Sequence, residues 1–83
     1  MFYFRIFSGE KNMLRLRDLR EDKDLNQSQI AEIINVSQVA YSYYELEKRE
    51  IDLQSLKKLA LFYNTSTDYI LGLTNKKEPY PRR

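Results

Sequence analysis

The sequence predicts an all-α domain of five short helices, and three observations support this class. Apolar residues recur at spacings of three and four through most of the chain. Asn, Ser or Asp, which cap helix N-termini, precede these periodic stretches. With 83 residues the chain is long enough for one compact core. We therefore predict a single helical domain over residues 13–75, between an N-terminal extension (1–12) and a basic C-terminal tail (76–83).

The extension has a composition unlike that of the predicted domain. Five of its six residues from Phe2 to Phe7 are large and apolar, and Ser8-Gly9 follow them. This composition predicts a short β-strand, for which the same segment of a second chain is one candidate partner. The alternative is that translation naturally starts at Met13. The codons for Gly9-Glu10 can resemble a ribosome-binding site, and they lie just upstream of the Met13 codon.

The first two helices are predicted from apolar spacing and from the residues between them. Residues 13–23 form helix 1, in which Leu16 and Leu19 are the apolar pair. Asn26 is the expected N-cap of helix 2, which begins at Gln27. Its apolar face contains Ile30, Ala31 and Ile34. These spacings place helix 2 against the rest of the core.

Residues 27–46 read as two helices joined by a sharp turn. Asn35 tolerates a left-handed backbone, and Ser37 can cap helix 3 through its hydroxyl. Val36, Tyr41 and Tyr44 are expected to be core residues. Together with the small Ala31 of helix 2, this pattern predicts a helix-turn-helix formed by helices 2 and 3.

The last two helices follow a polar loop. Asp52 is the expected N-cap of helix 4, and Asn64 ends that helix in a left-handed position. Ser66 caps a short helix 5, which stops at Gly72. The tail contains two prolines and four cations, so we predict that it is loose.

The composition excludes several classes of function. The chain contains no cysteine and no histidine, which removes the catalysis and the zinc sites that depend on them. No nucleophile–base pair or metal-ligand cluster is visible, so we predict no enzymatic activity and no cofactor. The apolar runs are too short to cross a bilayer, and the lack of cysteine fits a reducing compartment. We expect a cytoplasmic protein without a membrane partner or a small-molecule ligand.

The net charge of +2 gives little support for a polyanionic partner. Residues 13–75 contain eight Lys/Arg against ten Asp/Glu, so the positive surplus lies in the two terminal segments. Any basic surface on the domain must therefore come from the placement of individual residues.

The chain from Leu14 to Leu73 resembles the phage repressor and Cro family of Xre-like regulators. The resemblance lies in the stretches LRDLREDKDLNQSQIAEIINVS and VAYSYYELEKREIDLQSLKKLALFYNTSTDYILGL. It implies a repressor-type DNA-binding domain whose recognition helix, Gln38 to Glu45, enters the major groove. It also implies an ion pair between Glu45 and Arg20.

The resemblance assigns roles to seven residues. It places Gln38, Val39, Ser42 and Tyr43 at the base edges, whereas Gln27, Lys48 and Arg49 contact phosphates. These residue types suit those roles, because glutamine can pair with adenine and valine can pack on a thymine methyl. Each also has a structural alternative as an ordinary solvated helix or loop residue. Lys57 and Lys58 are expected only to lie on a solvated face of their helix.

The chain departs from the family pattern after the recognition helix. Glu47 stands where the family often has glycine, so we expect a differently shaped turn or a helix that continues through Leu46. Leu46 replaces a residue that is commonly polar, and the recognition helix contains no Lys or Arg. These differences predict a lower affinity for DNA than the family pattern would give.

The function implied is a sequence-specific DNA-binding transcriptional regulator that acts as a repressor. One recognition helix with few phosphate contacts gives weak binding, so a homodimer on an operator in double-stranded DNA is expected. The alternative is a protein-interaction module, such as an antitoxin or an anti-repressor. Its partner would then bind the aromatic N-terminus or the tyrosines of helix 3.

Overall fold

The computed structural model describes residues 14–82, which contain five α-helices and no strand. The helices are α1 (Leu16–Asp22), α2 (Gln27–Ile34), α3 (Gln38–Glu45), α4 (Leu53–Tyr63) and α5 (Thr67–Ile70). The predicted all-α class and the five helices are confirmed. The predicted N-terminal strand and the alternative start at Met13 lie outside the described residues.

Helix α1 begins at Leu16 and is shorter than predicted, and the residue before it pairs with Ile70 of α5. The backbone N–H of Arg15 donates to the carbonyl of Ile70 at 2.9 Å. The Arg15 side chain also contacts this region, since its guanidinium lies 4.1 Å from the centroid of the Tyr69 ring. Leu16 and Leu19 are both buried, as predicted from their spacing.

The predicted N-caps are confirmed for α2 to α5. The Asn26 side chain accepts the N–H of Gln29 at 2.9 Å, and the Gln29 side chain accepts the N–H of Asn26 at 2.8 Å. This reciprocal capping box fixes the start of α2. The caps of α3, α4 and α5 are Ser37, Asp52 and Ser66, each accepting the N–H three residues later. Such a cap contributes about 1 kcal/mol to stability.

The predicted helix ends are confirmed at two asparagines. Asn35 has φ 61° and Asn64 has φ 53°, both in the left-handed region. Asparagine adopts this conformation more readily than most residues. These turns allow α2 to run directly into α3, and α4 into α5, with few connecting residues.

The core lies between α1, α2, α3 and α4, with α5 closing one side. Tyr41, Ile30, Leu59 and Ile70 are almost completely buried. The other buried apolar residues are Leu16, Leu19, Ala31, Ile34, Tyr44, Leu56, Ala60 and Tyr63. Because most of the buried residues of α2 and α3 belong to this one cluster, the two helices are held rigidly on it.

The C-terminal tail is packed on the domain, so the prediction of a loose tail is wrong over its described part. The buried hydroxyl of Thr65 donates to the carbonyl of Lys77. The hydroxyl of Tyr80 donates to Asp68 at 2.7 Å, and Arg82 donates to the Asn64 side chain at 3.1 Å. Composition could not reveal these contacts, because they depend on polar groups that α4 and α5 present to the tail.

Within residues 14–82, no helix combines the length and the apolar character needed to cross a membrane. The same residues contain no cluster of three or more Asp, Glu, His or Cys side chains that could hold a metal ion.

Candidate nucleic-acid interface

The turn between α2 and α3 is closed by backbone hydrogen bonds. The N–H of Val36 donates to the carbonyl of Ala31 at 2.9 Å, and the N–H of Asn35 donates to that of Glu32 at 3.1 Å. Ala31 is buried where the helices approach each other. Ser37 is the N-cap of α3, so this helix begins directly after the turn. The predicted helix-turn-helix is therefore present as a compact unit.

Helix α3 divides into a buried face and an exposed face. Tyr41, Tyr44 and Glu45 are buried, so two of the three tyrosines are core residues, as predicted. Gln38 and Val39 are exposed, and Val39 is 61% accessible. Tyr43, at 39%, and the half-buried Ser42 lie one turn further along. The four predicted base-contacting residues are Gln38, Val39, Ser42 and Tyr43, and they occupy the side of α3 that faces away from the core.

Two residues of this exposed face have local contacts that limit what they can offer. The hydroxyl of Ser42 donates to the carbonyl of Val39 at 2.7 Å, which leaves its oxygen as an acceptor. The guanidinium of Arg49 lies 5.7 Å from the centroid of the Tyr43 ring, within the range of a cation–π interaction. Tyr43 and Arg49 are thus brought together, which the sequence analysis did not predict.

The turn after α3 keeps a left-handed geometry although glycine is absent. Glu47 has φ 59°, and its N–H donates to the carbonyl of Tyr44 at 3.1 Å. The N–H of Lys48 donates to the carbonyl of Tyr43 at 2.9 Å, which completes a Schellman motif. The helix ends at Glu45 with Leu46 as its C-cap. The expectation of a different turn is therefore wrong, because Glu47 itself takes the conformation that glycine prefers.

The loop after this turn presents charges of both signs. Lys48 and Arg49 are exposed, and so are Glu47 and Glu50 on either side of them. The Glu47 carboxylate lies 3.4 Å from the backbone nitrogen of Leu14. Since α3 has no exposed charged side chain, positive charge reaches this surface mainly from Lys48 and Arg49.

The N-terminus of α2 combines open backbone donors with an oriented amide. The capping box uses the N–H groups of Asn26 and Gln29, whereas those of Gln27 and Ser28 have no acceptor within the helix. The Gln27 side chain is half-buried, and its Nε2 donates to Oε1 of Glu45 at 3.1 Å. Gln27 therefore lies at the helix start, as predicted, but its side chain is also tied to α3.

A buried ion pair joins α1 to the end of α3. The Arg20 Nε donates to Oε2 of Glu45 at 2.7 Å, and Nη2 donates to Oε1 at 3.2 Å. Burial acts to raise the pKa of Glu45, but the donors around it, first Arg20 and then Tyr41 and Gln27, outweigh burial and lower that pKa below its ordinary value. The ion pair inferred between Arg20 and Glu45 is confirmed.

Two tyrosine hydroxyls lie near this ion pair. Burial raises the pKa of both Tyr41 and Tyr63, and the negative charge of Glu45 raises it further. The hydroxyl of Tyr63 is buried and has no hydrogen-bonding partner among the described residues. The polar centre of the domain is therefore more extensive than the single ion pair that was predicted.

The hydrogen bond between Gln27 and Glu45 was not predicted from the sequence. The two residues are 18 positions apart on different helices, so helical periodicity does not connect them. The available signal was the Arg20–Glu45 pair, because a buried carboxylate has further acceptor positions that neighbouring donors can fill.

These features define a class of protein. A tight helix-turn-helix presents an uncharged, hydrogen-bonding helix face between a helix N-terminus and two cations, which is the arrangement of a DNA-binding domain. The chain belongs to the helix-turn-helix family, whose sequence model matches residues 16–70. The domain is thus of the DNA-binding type that transcriptional regulators contain.

Similar proteins include several transcriptional regulators. The chain is 42% identical over 69 residues to the HTH-type transcriptional regulator YobD of Bacillus subtilis, covering 83% of this chain and 62% of YobD. It is 40% identical over 58 residues to the HTH-type transcriptional regulator ImmR of the same organism, covering 70% and 46% of the two chains. It is 41% identical over 49 residues to the cryptic phage CTXphi transcriptional repressor RstR of Vibrio cholerae, covering 59% and 44%.

The chain therefore spans about half to three-fifths of the length of these relatives. No solved structure matches it significantly.

Proposed function

We propose that this chain binds a specific operator in duplex DNA in the cytoplasm and acts as a transcriptional repressor, without a catalytic role. The observation that carries the proposal is the exposed face of α3, where polar and small apolar side chains stand on a rigid helix-turn-helix. The similar protein RstR is named as a transcriptional repressor, which agrees with the proposed role. Binding at an operator that overlaps a promoter would exclude polymerase sterically.

Base recognition is assigned to four residues of α3. The exposed Gln38 can pair with N6 and N7 of adenine, and Val39 can pack on a thymine methyl. Ser42 acts as an acceptor, for which the amino groups of adenine or cytosine are the suitable donors. Tyr43 contacts a base or a phosphate through its hydroxyl, and the adjacent Arg49 orients its ring.

Phosphate binding is assigned to the two ends of this surface. At one end, Gln27 supplies its backbone N–H and its side-chain amide at the positive end of the α2 dipole. At the other end, Lys48 and Arg49 supply the ionic contacts. The nearby Glu47 and Glu50 oppose the phosphates, so this ionic contribution is small.

A homodimer follows from this limited affinity. Two copies on half-sites about 34 Å apart double the base contacts and the phosphate contacts without new chemistry. A largely apolar groove of about 450 Å³ lies beside the loop after α3; it is lined by Leu14, Ile51, Leu53, Leu56 and Leu71, with Glu47, Arg49 and Glu50 at its charged part. Leu53 is 76% exposed, so the groove offers apolar surface to a second copy.

The decisive experiment is selection of binding sites from random duplex DNA. We expect a motif with two-fold symmetry. The variant Gln38→Ala should relax the preference at one position of each half-site and lower affinity for the preferred base by about 1–3 kcal/mol. Failure of the intact chain to enrich any sequence at low salt would overturn the proposal.

The salt dependence of binding tests the phosphate assignment. With Lys48 and Arg49 as the ionic contacts, the slope of log K against log salt should be about −4 for two copies and about −2 for one. Lys48→Ala should reduce the slope by about one for each copy bound. Lys58→Ala removes an exposed lysine of α4 that has no assigned contact, and its slope should equal that of the unchanged protein.

The second candidate function, binding of a different protein partner, is favoured by the same apolar groove. Tyr41 and Tyr44 are buried, so Tyr43 is the only tyrosine of α3 that remains available to such a partner. Sedimentation of the chain alone, with and without the selected DNA, distinguishes the two functions. A dimer that binds DNA supports the operator proposal, whereas a monomer that selects no DNA supports a protein partner.

A further inference from the structure

We propose that Glu45 is a positioning residue for DNA binding, whose buried carboxylate holds the Gln27 amide so that one N–H of the amide faces a DNA phosphate. The proposal rests on the proposed function and extends it to a residue that does not touch DNA itself. Glu45 is only 5% exposed, so it can act on DNA only through a neighbour.

The contacts of the carboxylate identify that neighbour. Oε2 accepts the Arg20 Nε at 2.7 Å, and Oε1 accepts both the Arg20 Nη2 at 3.2 Å and the Gln27 Nε2 at 3.1 Å. Arg20 is itself mostly buried, with 13% of its side chain exposed. Gln27 is half-buried at the first position of α2, so it is the member of this cluster that reaches the surface.

The chemistry of the carboxylate decides which way the amide points. An ionised carboxylate only accepts hydrogen bonds, so it attracts the NH₂ end of the Gln27 amide and repels the carbonyl end. The donors around the carboxylate, Arg20 and then Tyr41 and Gln27, keep Glu45 ionised, since they hold its pKa below its ordinary value against the effect of burial. One amide N–H therefore points to Glu45, and the second is directed away from it.

The orientation of the second N–H of the Gln27 amide matters because the start of α2 provides other hydrogen-bond donors. The backbone N–H groups of Gln27 and Ser28 lie at the same helix start and have no acceptor within the helix. A phosphate at this point would accept from these groups and from the fixed amide together. Prior fixing of the amide removes part of the entropy cost that a free glutamine side chain would pay on binding.

The same carboxylate also relates this phosphate contact to base recognition. Glu45 is the last residue of α3, and Gln27 is the first residue of α2. The hydrogen bond between them therefore fixes the phosphate-binding group relative to the helix that reads the bases. A one-residue change at Glu45 should disturb this relationship without altering any atom that contacts DNA.

A double-mutant cycle on the full chain tests the coupling. The proteins are the unchanged chain, Gln27→Ala, Glu45→Gln and the double variant, titrated with the selected operator and followed by fluorescence anisotropy. Glutamine at position 45 keeps the shape but can face the Gln27 amide in either orientation. We expect each single variant to bind roughly tenfold more weakly and the double variant to bind no more weakly than Gln27→Ala.

Two controls separate this role from a purely structural one. Circular dichroism establishes that each variant is folded under the binding conditions, because a merely structural Glu45 would change stability and leave binding by the folded protein unaltered. Glu21→Gln removes the carboxylate of the exposed pair between Arg17 and Glu21, and it should leave operator affinity unchanged. Additive losses of about 100-fold in the double variant would overturn the proposal.

A measurement on the unchanged protein covers the case in which Glu45→Gln does not fold. In ¹⁵N-resolved NMR spectra, the two Nε2 protons of Gln27 give separate signals. Addition of operator DNA should move one signal strongly and the other little, because only one proton faces the phosphate. Equal shifts of both signals would overturn the proposal. A chain that binds no DNA refutes the function, whereas additive losses in a chain that binds DNA refute this inference alone.

Discussion

The left-handed residue after the recognition helix gives a sharp prediction about stability. Glu47 has φ 59°, and the other non-glycine residues with positive φ are Asp or Asn among the described residues. This conformation costs a residue with a Cβ about 1–2 kcal/mol, whereas glycine loses about 0.5–1 kcal/mol through its greater freedom when unfolded. The 3.4 Å contact of the Glu47 carboxylate with the Leu14 nitrogen is long and exposed, so loss of this contact costs little. Glu47→Gly should therefore increase the free energy of unfolding by about 0.5–1 kcal/mol.

The matched control is Glu50→Gly, three residues further along the same loop. Glu50 is exposed and does not have a positive φ, so this variant should lose about 0.5–1 kcal/mol. Both variants change the unfolded chain in the same way, so the difference between them isolates the backbone conformation at Glu47. Thermal unfolding followed by circular dichroism should show midpoints that differ by roughly 4–16 °C. Equal destabilisation by both variants would refute the reasoning.

Four further predictions concern stability. Tyr63→Phe should raise the free energy of unfolding by about 1 kcal/mol because it removes an unpartnered hydroxyl, whereas Tyr44→Phe should lower it similarly by breaking the hydrogen bond to Asp52. Urea denaturation measures both, and a loss in Tyr63→Phe would contradict the first. Ser37→Ala should cost about 1 kcal/mol through the lost cap of α3, and an unchanged denaturation midpoint would contradict this. Folding lowers the pKa of Glu45. The ionised carboxylate therefore contributes fully to the free energy of unfolding above the unfolded pKa of about 4.3, and this contribution is lost as the pH falls through the folded pKa. In Glu45→Gln, the free energy of unfolding should fall less as the pH is lowered. An unchanged fall would show that other carboxylates cause it.

Local sequence signals predicted most of the fold because they act over a few residues. Asn26, Ser37 and Asp52 each satisfy an N–H three residues away, so the caps can be read directly from the sequence. Asn35 and Asn64 are equally local, since the left-handed turn depends on one residue. The core positions of α2 and α3 followed from helical spacing alone.

The predictions that failed depend on contacts that single residues do not reveal. Glu47 adopts the conformation of a glycine because two backbone hydrogen bonds at the end of α3, to the carbonyls of Tyr43 and Tyr44, hold the turn and override the residue's own preference. The tail looked loose because Pro and Lys predict that locally, although the hydroxyl of Thr65 and the carboxylate of Asp68 bind it. For the candidate site, the sequence supplied the proposed residues as predictions, but the link from Gln27 to Glu45 required the fold.

The uncharged recognition face has a consequence for specificity. Non-specific affinity for DNA comes almost entirely from ionic contacts with phosphates, and on the proposed function each copy makes these mainly through Lys48 and Arg49. The base recognition proposed for Gln38 and Val39 would not depend on charge, so the ratio of specific to non-specific binding would be preserved while both affinities fall. A second copy raises specific affinity more than non-specific affinity, because each copy adds base contacts as well as two cations. On the proposed function, a preorganised Gln27 amide strengthens the phosphate contact without adding charge, and it therefore improves affinity with little increase in the salt-dependent background.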